Sequence, residues 1–549
     1  MPRSRANFYL LIAVCFTFVQ CKTENLKSQE KLAVDPMSEQ AIKNHMAILA
    51  SDEFGGRMPC SEGEDKTVAY LIEQMKKMGI SPGNGSSYIQ DVPLLEIVGH
   101  PSSVMKLDNG TKTKELNFPK DFVVHTQRKA DKVEFKDSEL VFCGYGIVAP
   151  ERGWNDFEGV DLKGKTAVVL VNDPGFGGED EAFFKGNTMT YYGRWTYKYE
   201  EADRQGADGL LIIHETTSAG YPWFVVESSW TGGQQGLSGI DRSNDCDVKG
   251  WISLDTAKDL FDEAGLDMAA EIRAARKPDF KAKSLKTKAS VSIENEYTEC
   301  ISKNVVGMIK GSKSPDEYII YTAHWDHIGT GVAVEGDTIY NGALDNASGV
   351  TAVLEIANKF AKSEIKPERS VVFLFVTAEE QGLLGSEYYV KNPIYPLNKT
   401  VCNLNMDGVN PAGKMKDFTI TGMGHSDMDD LAKVEVEKQG RYIMEEQEPE
   451  KGYFYRSDHF NFAKAGVPAL YGDGGYDHWD KGKEYAVEFK ENYVKDRYHA
   501  PADEFDPETW NYEGFIQDAT LYFNIGQSIA NSTVWPKWKE GSEFRRLED

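Results

Sequence analysis

Positive charge is scarce in this chain: 61 lysines and arginines face 87 aspartates and glutamates among 549 residues, a formal net charge of -26. A deficit of that size excludes a surface built to neutralise phosphates, and with it nucleic-acid binding. Cysteine is sparse as well. None of the seven lies in C-x-x-C spacing, and Cys60, Cys143, Cys246, Cys300 and Cys402 stand singly. Neither a disulfide scaffold nor a thiolate zinc site is therefore expected. Internal repeats and low-complexity tracts are missing too, and no apolar run reaches the length of a membrane span. The chain is long enough to bury a large core and too long for one ordinary domain, so two domains or more are expected.

The amino end carries Arg3 and Arg5 ahead of the apolar run 9–19, which reads as an export signal occupying residues 1–20. Its removal takes away those two positive charges and moves the formal charge from -26 to -28. Cys21 lies where a bacterial lipoprotein signal places its lipidated cysteine, although residues 18–20 lack the small side chain expected just before it. The expectation is an exported bacterial protein, either periplasmic, extracellular or an outer-membrane lipoprotein anchored through Cys21.

Three textures follow. Within 35–100, Val68, Leu71, Ile72, Met75 and Met78 repeat at helical spacing and Gly79 stands where a helix C-cap belongs. From 101 to 294 the pattern changes to short strands and glycine-rich turns, with one helix-to-strand unit at 197–213 and further strands at 140–147 and 165–172. From 295 to 532 strand and helix alternate, and Val350, Val353, Leu354, Ala357, Phe360 and Ala361 mark one buried helical face. Alternation of this kind predicts an α/β fold, a mostly parallel open sheet flanked by helices. The catalytic unit would then be discontinuous, 35–100 with 295–532, and interrupted by a β-rich module at 101–294.

The chemistry lies at the ends of apolar runs. The runs 317–324, 370–380 and 401–407 end in His324, Glu379-Glu380 and Asp407. Buried parallel strands have this composition, and ligands bind beyond the carboxyl ends of such strands. Zinc accepts imidazole nitrogen and carboxylate oxygen, and a zinc pair shares a bridging carboxylate. Asp345, at the mouth of the helix that begins near 349, suits that bridge. Adjacent carboxylates at a strand end repel one another, a cost that a metal ion and a shared proton relieve, and the two take separate roles: Glu380 as ligand and Glu379 as general base. His327 and His459 are nearby imidazoles for which structural hydrogen bonding is expected.

His324-Trp325-Asp326, Asp345-Asn346, Glu379-Glu380, Asn405-Met406-Asp407 and Tyr498-His499 resemble the motifs of a di-zinc exopeptidase family that includes bacterial aminopeptidases, glutamate carboxypeptidase II and the glutaminyl cyclases. The stretches 49–57 and 455–469 resemble its secreted bacterial branch. The 101–294 module is similar to the protease-associated domain of many members, with Gly144-Tyr145-Gly146 and Lys163-Gly164-Lys165 as the echoes. The resemblance implies two zinc ions per chain, one held by His324 and Asp407, the other by Glu380 and His499, with Asp345 between them. It further implies that Asp326 orients His324 and that Tyr498 donates a hydrogen bond to the tetrahedral oxyanion.

Two formal motif matches are rejected. Residues 159–166 fit the P-loop pattern, yet a strand-like run follows where a helix is required. Residues 79–83 fit the serine-hydrolase elbow, but they follow a helix and place Pro82 after Ser81. The expected function is zinc-dependent hydrolysis of peptide substrates, as an aminopeptidase. The alternatives are a carboxypeptidase of the glutamate carboxypeptidase type and a non-catalytic receptor-like protein on the same scaffold; the pattern is silent on oligomeric state.

Overall fold

A computed structural model describes residues 37–546, so the expected signal at 1–20 and Cys21 lie outside the described residues. Chain order begins with helices α1 (Glu39–Leu49) and α2 (Glu62–Met78). Ser61 caps α2 by accepting the amide protons of Gly63 and Glu64, and Gly79 ends it in the left-handed conformation, as the periodicity predicts.

Strand β1 (Ile89–Pro101) leads out of this unit and β2 (Lys283–Ile309) leads back, paired antiparallel from Ile89↔Val305 to Pro101↔Ile293. The expected boundaries at 100/101 and 294/295 fall at the end of one of these strands and inside the other. Local periodicity does not register such a boundary, because the pleat continues while its partners change.

Between them, the strands Lys132–Phe142, Lys165–Leu170, Gly209–Ile213 and Val248–Ile252 form a parallel strip. Its longer helices are Trp195–Arg204, Leu254–Ala264 and Met268–Ala275. The first of those strands stops at Phe142 rather than running on to 147, since Gly144 and Gly146 take φ of 58° and 64°, a turn conformation that favours glycine. Residues 165–170 form a strand, which agrees with rejecting the P-loop.

Beyond β2 the same sheet continues with β3 (Ser314–His324), β4 (Arg369–Val376), β5 (Thr400–Asn405) and β6 (Ala469–Gly474). These run parallel in the order β4-β3-β5-β6, with β2 antiparallel at one side and Asp417–Ile420 antiparallel at the other. Both faces are covered. Ile319, Tyr321, Phe373 and Phe375 point into a core shared with α1, α2, α3 (Gly349–Lys362) and α4 (Tyr512–Ala530), whereas Ile320, Val372, Leu374 and Val376 meet Tyr389, Phe462 and Val467. Burial on both faces explains why these strands read as continuous apolar runs.

Cys60 and Cys300 form a disulfide that ties the start of α2 to β2, while Cys143, Cys246 and Cys402 are free and buried. Spacing does not reveal this single cross-link, because its partners are 240 positions apart. No helix among the described residues is long and apolar enough to cross a membrane.

Candidate metal centre

The carboxyl ends of β3, β4 and β5 bring the predicted residues together. His324 is the last residue of β3. Asp407 follows β5, and Glu379 and Glu380 follow β4 after a reversal at Ala378, whose φ is 53°. Asp345 lies in the tight turn 343–348 that leads into α3. A side chain on Gly349 could not fit: its Cβ would stand 2.2 Å from Asn346 Oδ1 and 2.3 Å from the Met406 carbonyl. The Asp345 and Asp407 turns can therefore touch, and Asn346 joins them by donating to Met406 O at 3.0 Å and accepting from Gly408 N at 3.1 Å.

His324 Nε2 stands 3.1 Å from Asp407 Oδ1, 3.2 Å from Asp345 Oδ1 and 3.9 Å from Glu379 Oε2. On the other side His499 Nε2 lies 3.3 Å from Asp345 Oδ2 and 3.1 Å from Glu380 Oε2. One oxygen of Asp345 thus faces each imidazole. Donor atoms of His324, Glu379 and Asp407 lie within 4.8 Å of one another, as do those of His327, Asp345 and Glu380. Buried imidazole and carboxylate groups converging in this way are a donor set that suits zinc.

His327 makes the hydrogen bond expected of it, from Nδ1 to Glu380 Oε1, while its buried Nε2 has no hydrogen-bond partner. The only sequence signal for it is a second histidine soon after His324. His459 is packed between Phe454 and Tyr471, away from the donors.

Asp326 meets His324 through its main chain. The His324 Nδ1 proton goes to the Asp326 backbone carbonyl at 3.1 Å, and the Asp326 carboxylate lies 3.9 Å from that nitrogen. Its oxygens accept the backbone N–H groups of Glu379 at 3.1 Å and Glu380 at 3.4 Å, so it fixes the carboxylate pair as well as neighbouring the imidazole. Asp407 is held by Ser457 Oγ at 2.6 Å, which accepts in turn from Asn405 Nδ2 at 2.7 Å. Tyr498 is 48% exposed, and its ring stacks on His499 with centroids 3.9 Å apart.

Electrostatics separate the two adjacent glutamates. Burial pushes the Glu379 carboxyl well above the ordinary range, with the charges of Asp407 and Glu380 adding to it. Burial pushes Glu380 the same way, yet its hydrogen bonds to His327 and His499 prevail and hold it at about 2. Burial and the Glu380 charge leave Asp326 at about 7 despite His324. The His499 imidazole overcomes burial through Asp345 and Glu380 and stands at about 10. So dense a group of carboxylates is relieved by cations.

Residues 304–524 match the sequence model of peptidase family M28. Aminopeptidase NAALADL1 of Mus musculus is 32% identical over 126 residues, 22% of this chain and 15% of that protein. A glutamate carboxypeptidase 2 homolog of Caenorhabditis elegans is 33% identical over 125 residues, again 22% of this chain and 15% of that protein. The match thus spans 15% of the length of either relative. Among solved structures, the aminopeptidase from Aneurinibacillus sp. strain AM-1 aligns over 93% of this chain and 98% of its own, at 20% identity and a TM-score of 0.47.

Proposed function

We propose that this chain, whose residues 304–524 match the model of peptidase family M28, is an exported zinc-dependent exopeptidase that releases amino-terminal residues from peptides. The observation that carries the reading is the Asp345 carboxylate, with Oδ1 turned to His324 and Oδ2 to His499. Such a position suits a group shared by two cations. His324 and Asp407 would hold one zinc, Glu380 and His499 the other, and Asp345 both. Zinc supplies Lewis acidity and lowers the pKa of a water it binds.

The chain's own residues do the rest. Glu379 is the carboxylate of the cluster left over by that ligand set; it would take the proton of the attacking water and return it to the leaving amine. Its raised pKa beside the depressed one of Glu380 is the division expected of a proton carrier next to a ligand. Asp326 holds both backbones in place, and Tyr498 would donate to the oxyanion.

Likeness to a protein named an aminopeptidase supports action at the amino end. A second reading, carboxypeptidase action, is favoured by the likeness to a glutamate carboxypeptidase 2 homolog. The Cys60–Cys300 disulfide supports export, since such bonds persist in oxidising compartments. The module at 101–294 is read as a protease-associated domain.

One peptide, offered free and N-acetylated, with and without a chelator, tests the function. Chelator-sensitive, stepwise loss from only the free amino end is the expected product ladder. Loss from the carboxyl end of both forms would establish the carboxypeptidase reading, and cleavage of neither would favour a receptor-like protein.

A further inference from the structure

Two buried side chains of opposite charge grip the turn that carries Asp345, and neither is a donor of the metal cluster. Gly55, Gly56 and Arg57 all have positive φ, of 55°, 66° and 54°. This path lets the chain pass beneath the Tyr340 and Gly329 carbonyls, which a Cβ on Gly56 would meet at 2.5 and 2.6 Å. It delivers the Arg57 side chain, 1% exposed, into the floor of the site. Arg57 Nε donates to Trp325 O at 2.8 Å, Nη1 to Leu49 O at 2.7 Å and Asn341 O at 2.6 Å, and Nη2 to Gly342 O at 2.9 Å. All of these acceptors are main-chain carbonyls.

Asp503 stands at the other end of the same turn. Its carboxylate accepts Leu344 N at 3.1 Å and Asp345 N at 3.0 Å, its own carbonyl accepts Ala343 N at 2.9 Å, and Tyr493 donates to Oδ2 at 3.3 Å. The peptide groups of 341–342 therefore present oxygen to a cation, while those of 344–345 present hydrogen to an anion. Both contacts are charge-assisted, the stronger kind of hydrogen bond. Trp325 O extends the grip to the strand end, since Trp325 follows His324 directly.

A guanidinium is an expensive way to fill a buried space. If the position served packing alone, an apolar side chain would do it at lower cost. Spending a charge there makes sense if it locks a distance that packing cannot.

We propose that Arg57 and Asp503 are a pair of positioning residues that fix Asp345 relative to His324 and so set the spacing of the two cation positions. The inference rests on the two-zinc reading above. It assigns a role to the 49–57 stretch and to the residues just after His499, neither of which supplies a donor through these side chains.

The test uses the mature protein and two variants, Arg57→Lys, which keeps the charge but loses the fork, and the isosteric Asp503→Asn. Zinc affinity is measured by competition with a chromophoric chelator, cobalt(II)-loaded protein gives the visible ligand-field bands, and Tm and steady-state kinetics are recorded beside them. In both variants zinc affinity should fall by about 10-fold to 100-fold, the cobalt bands should shift, and kcat should drop with KM nearly unchanged. Should Arg57→Lys fail to fold, Asp503→Asn alone decides. Variants that lose only Tm, and keep wild-type zinc affinity and cobalt bands, would overturn the proposal. Wild-type protein that binds no zinc would sink the two-zinc reading first, and this inference with it.

Discussion

Asp345 divides its cavity into two unlike halves. On one side His324, Glu379 and Asp407 stand at or just beyond the ends of β3, β4 and β5, and the His324 side chain is 1% exposed. On the other, Glu380 meets His327 and His499, and His499 comes from an irregular segment with φ of 53° and a side chain 37% exposed. All three groups of the first half stand at strand ends, whereas the second combines the strand-end residues Glu380 and His327 with His499, whose place depends on the 497–503 segment. Rigid elements place groups more closely than loops do. On the proposed reading, the proton carrier Glu379 belongs to the strand-borne half and the adjustable ligand His499 to the loop-borne one.

The sharpest way to break this contrast is Glu379→Gln. It should lower kcat on the order of 10³-fold while both zinc ions remain by elemental analysis; an unaltered rate would remove the proton carrier from the strand-borne half. Next comes His499→Ala, for which chelator titration should show one zinc weakened by at least about 10²-fold and the other nearly as in the parent. Equal loss of both would mean that the halves are not separable. Tyr498→Phe should follow, with kcat reduced about 10-fold to 100-fold and KM little changed, and unchanged turnover would exclude the phenol from the mechanism.

The last effect is on stability rather than turnover and concerns the buried aromatic cluster around Glu543. Tyr455, close in sequence to Ser457, donates to the buried Glu543 carboxylate at 3.1 Å, where Tyr191 N at 3.3 Å and Lys185 also converge. His425 lies 3.7 Å from Glu543, yet burial outweighs that charge and draws its imidazole down to about 4. A histidine depressed in the folded state adds stability that is complete above its unfolded value of 6.5 and is lost as pH falls through the folded one. The window runs from about pH 6.5 to about pH 4 and involves about 3 kcal/mol. Chemical unfolding across this range should show the loss, and His425→Phe should flatten the slope; an identical slope would place the acid sensitivity elsewhere.

Much of the sheet was legible because burial on both faces leaves runs such as 370–376 uniformly apolar, and because His324, Glu379-Glu380 and Asp407 interrupt such runs where they end. The α2 stripe and Gly79 were legible for an equally local reason. What escaped the reading acts over distance. The bond between Cys60 and Cys300, the pairing of β1 with β2, and the reach of Arg57 to Asn341 are set by partners hundreds of positions apart. The turning of the Asp326 carboxylate toward Glu379 and Glu380 follows from the reversal at Ala378, which no period in the residues announces.

The disulfide has a consequence in time. Helices α1 and α2 bury their apolar faces against residues from 305 to 530, and Cys60 finds its partner 240 positions downstream. At ordinary rates of synthesis, roughly 12–50 s separate the two thiols. The intervening segment does not share that delay, since residues 105–293 supply the large core within it. It can settle while the earlier chain waits, and closure of the cross-link then marks the moment at which the chain on either side of that segment has met.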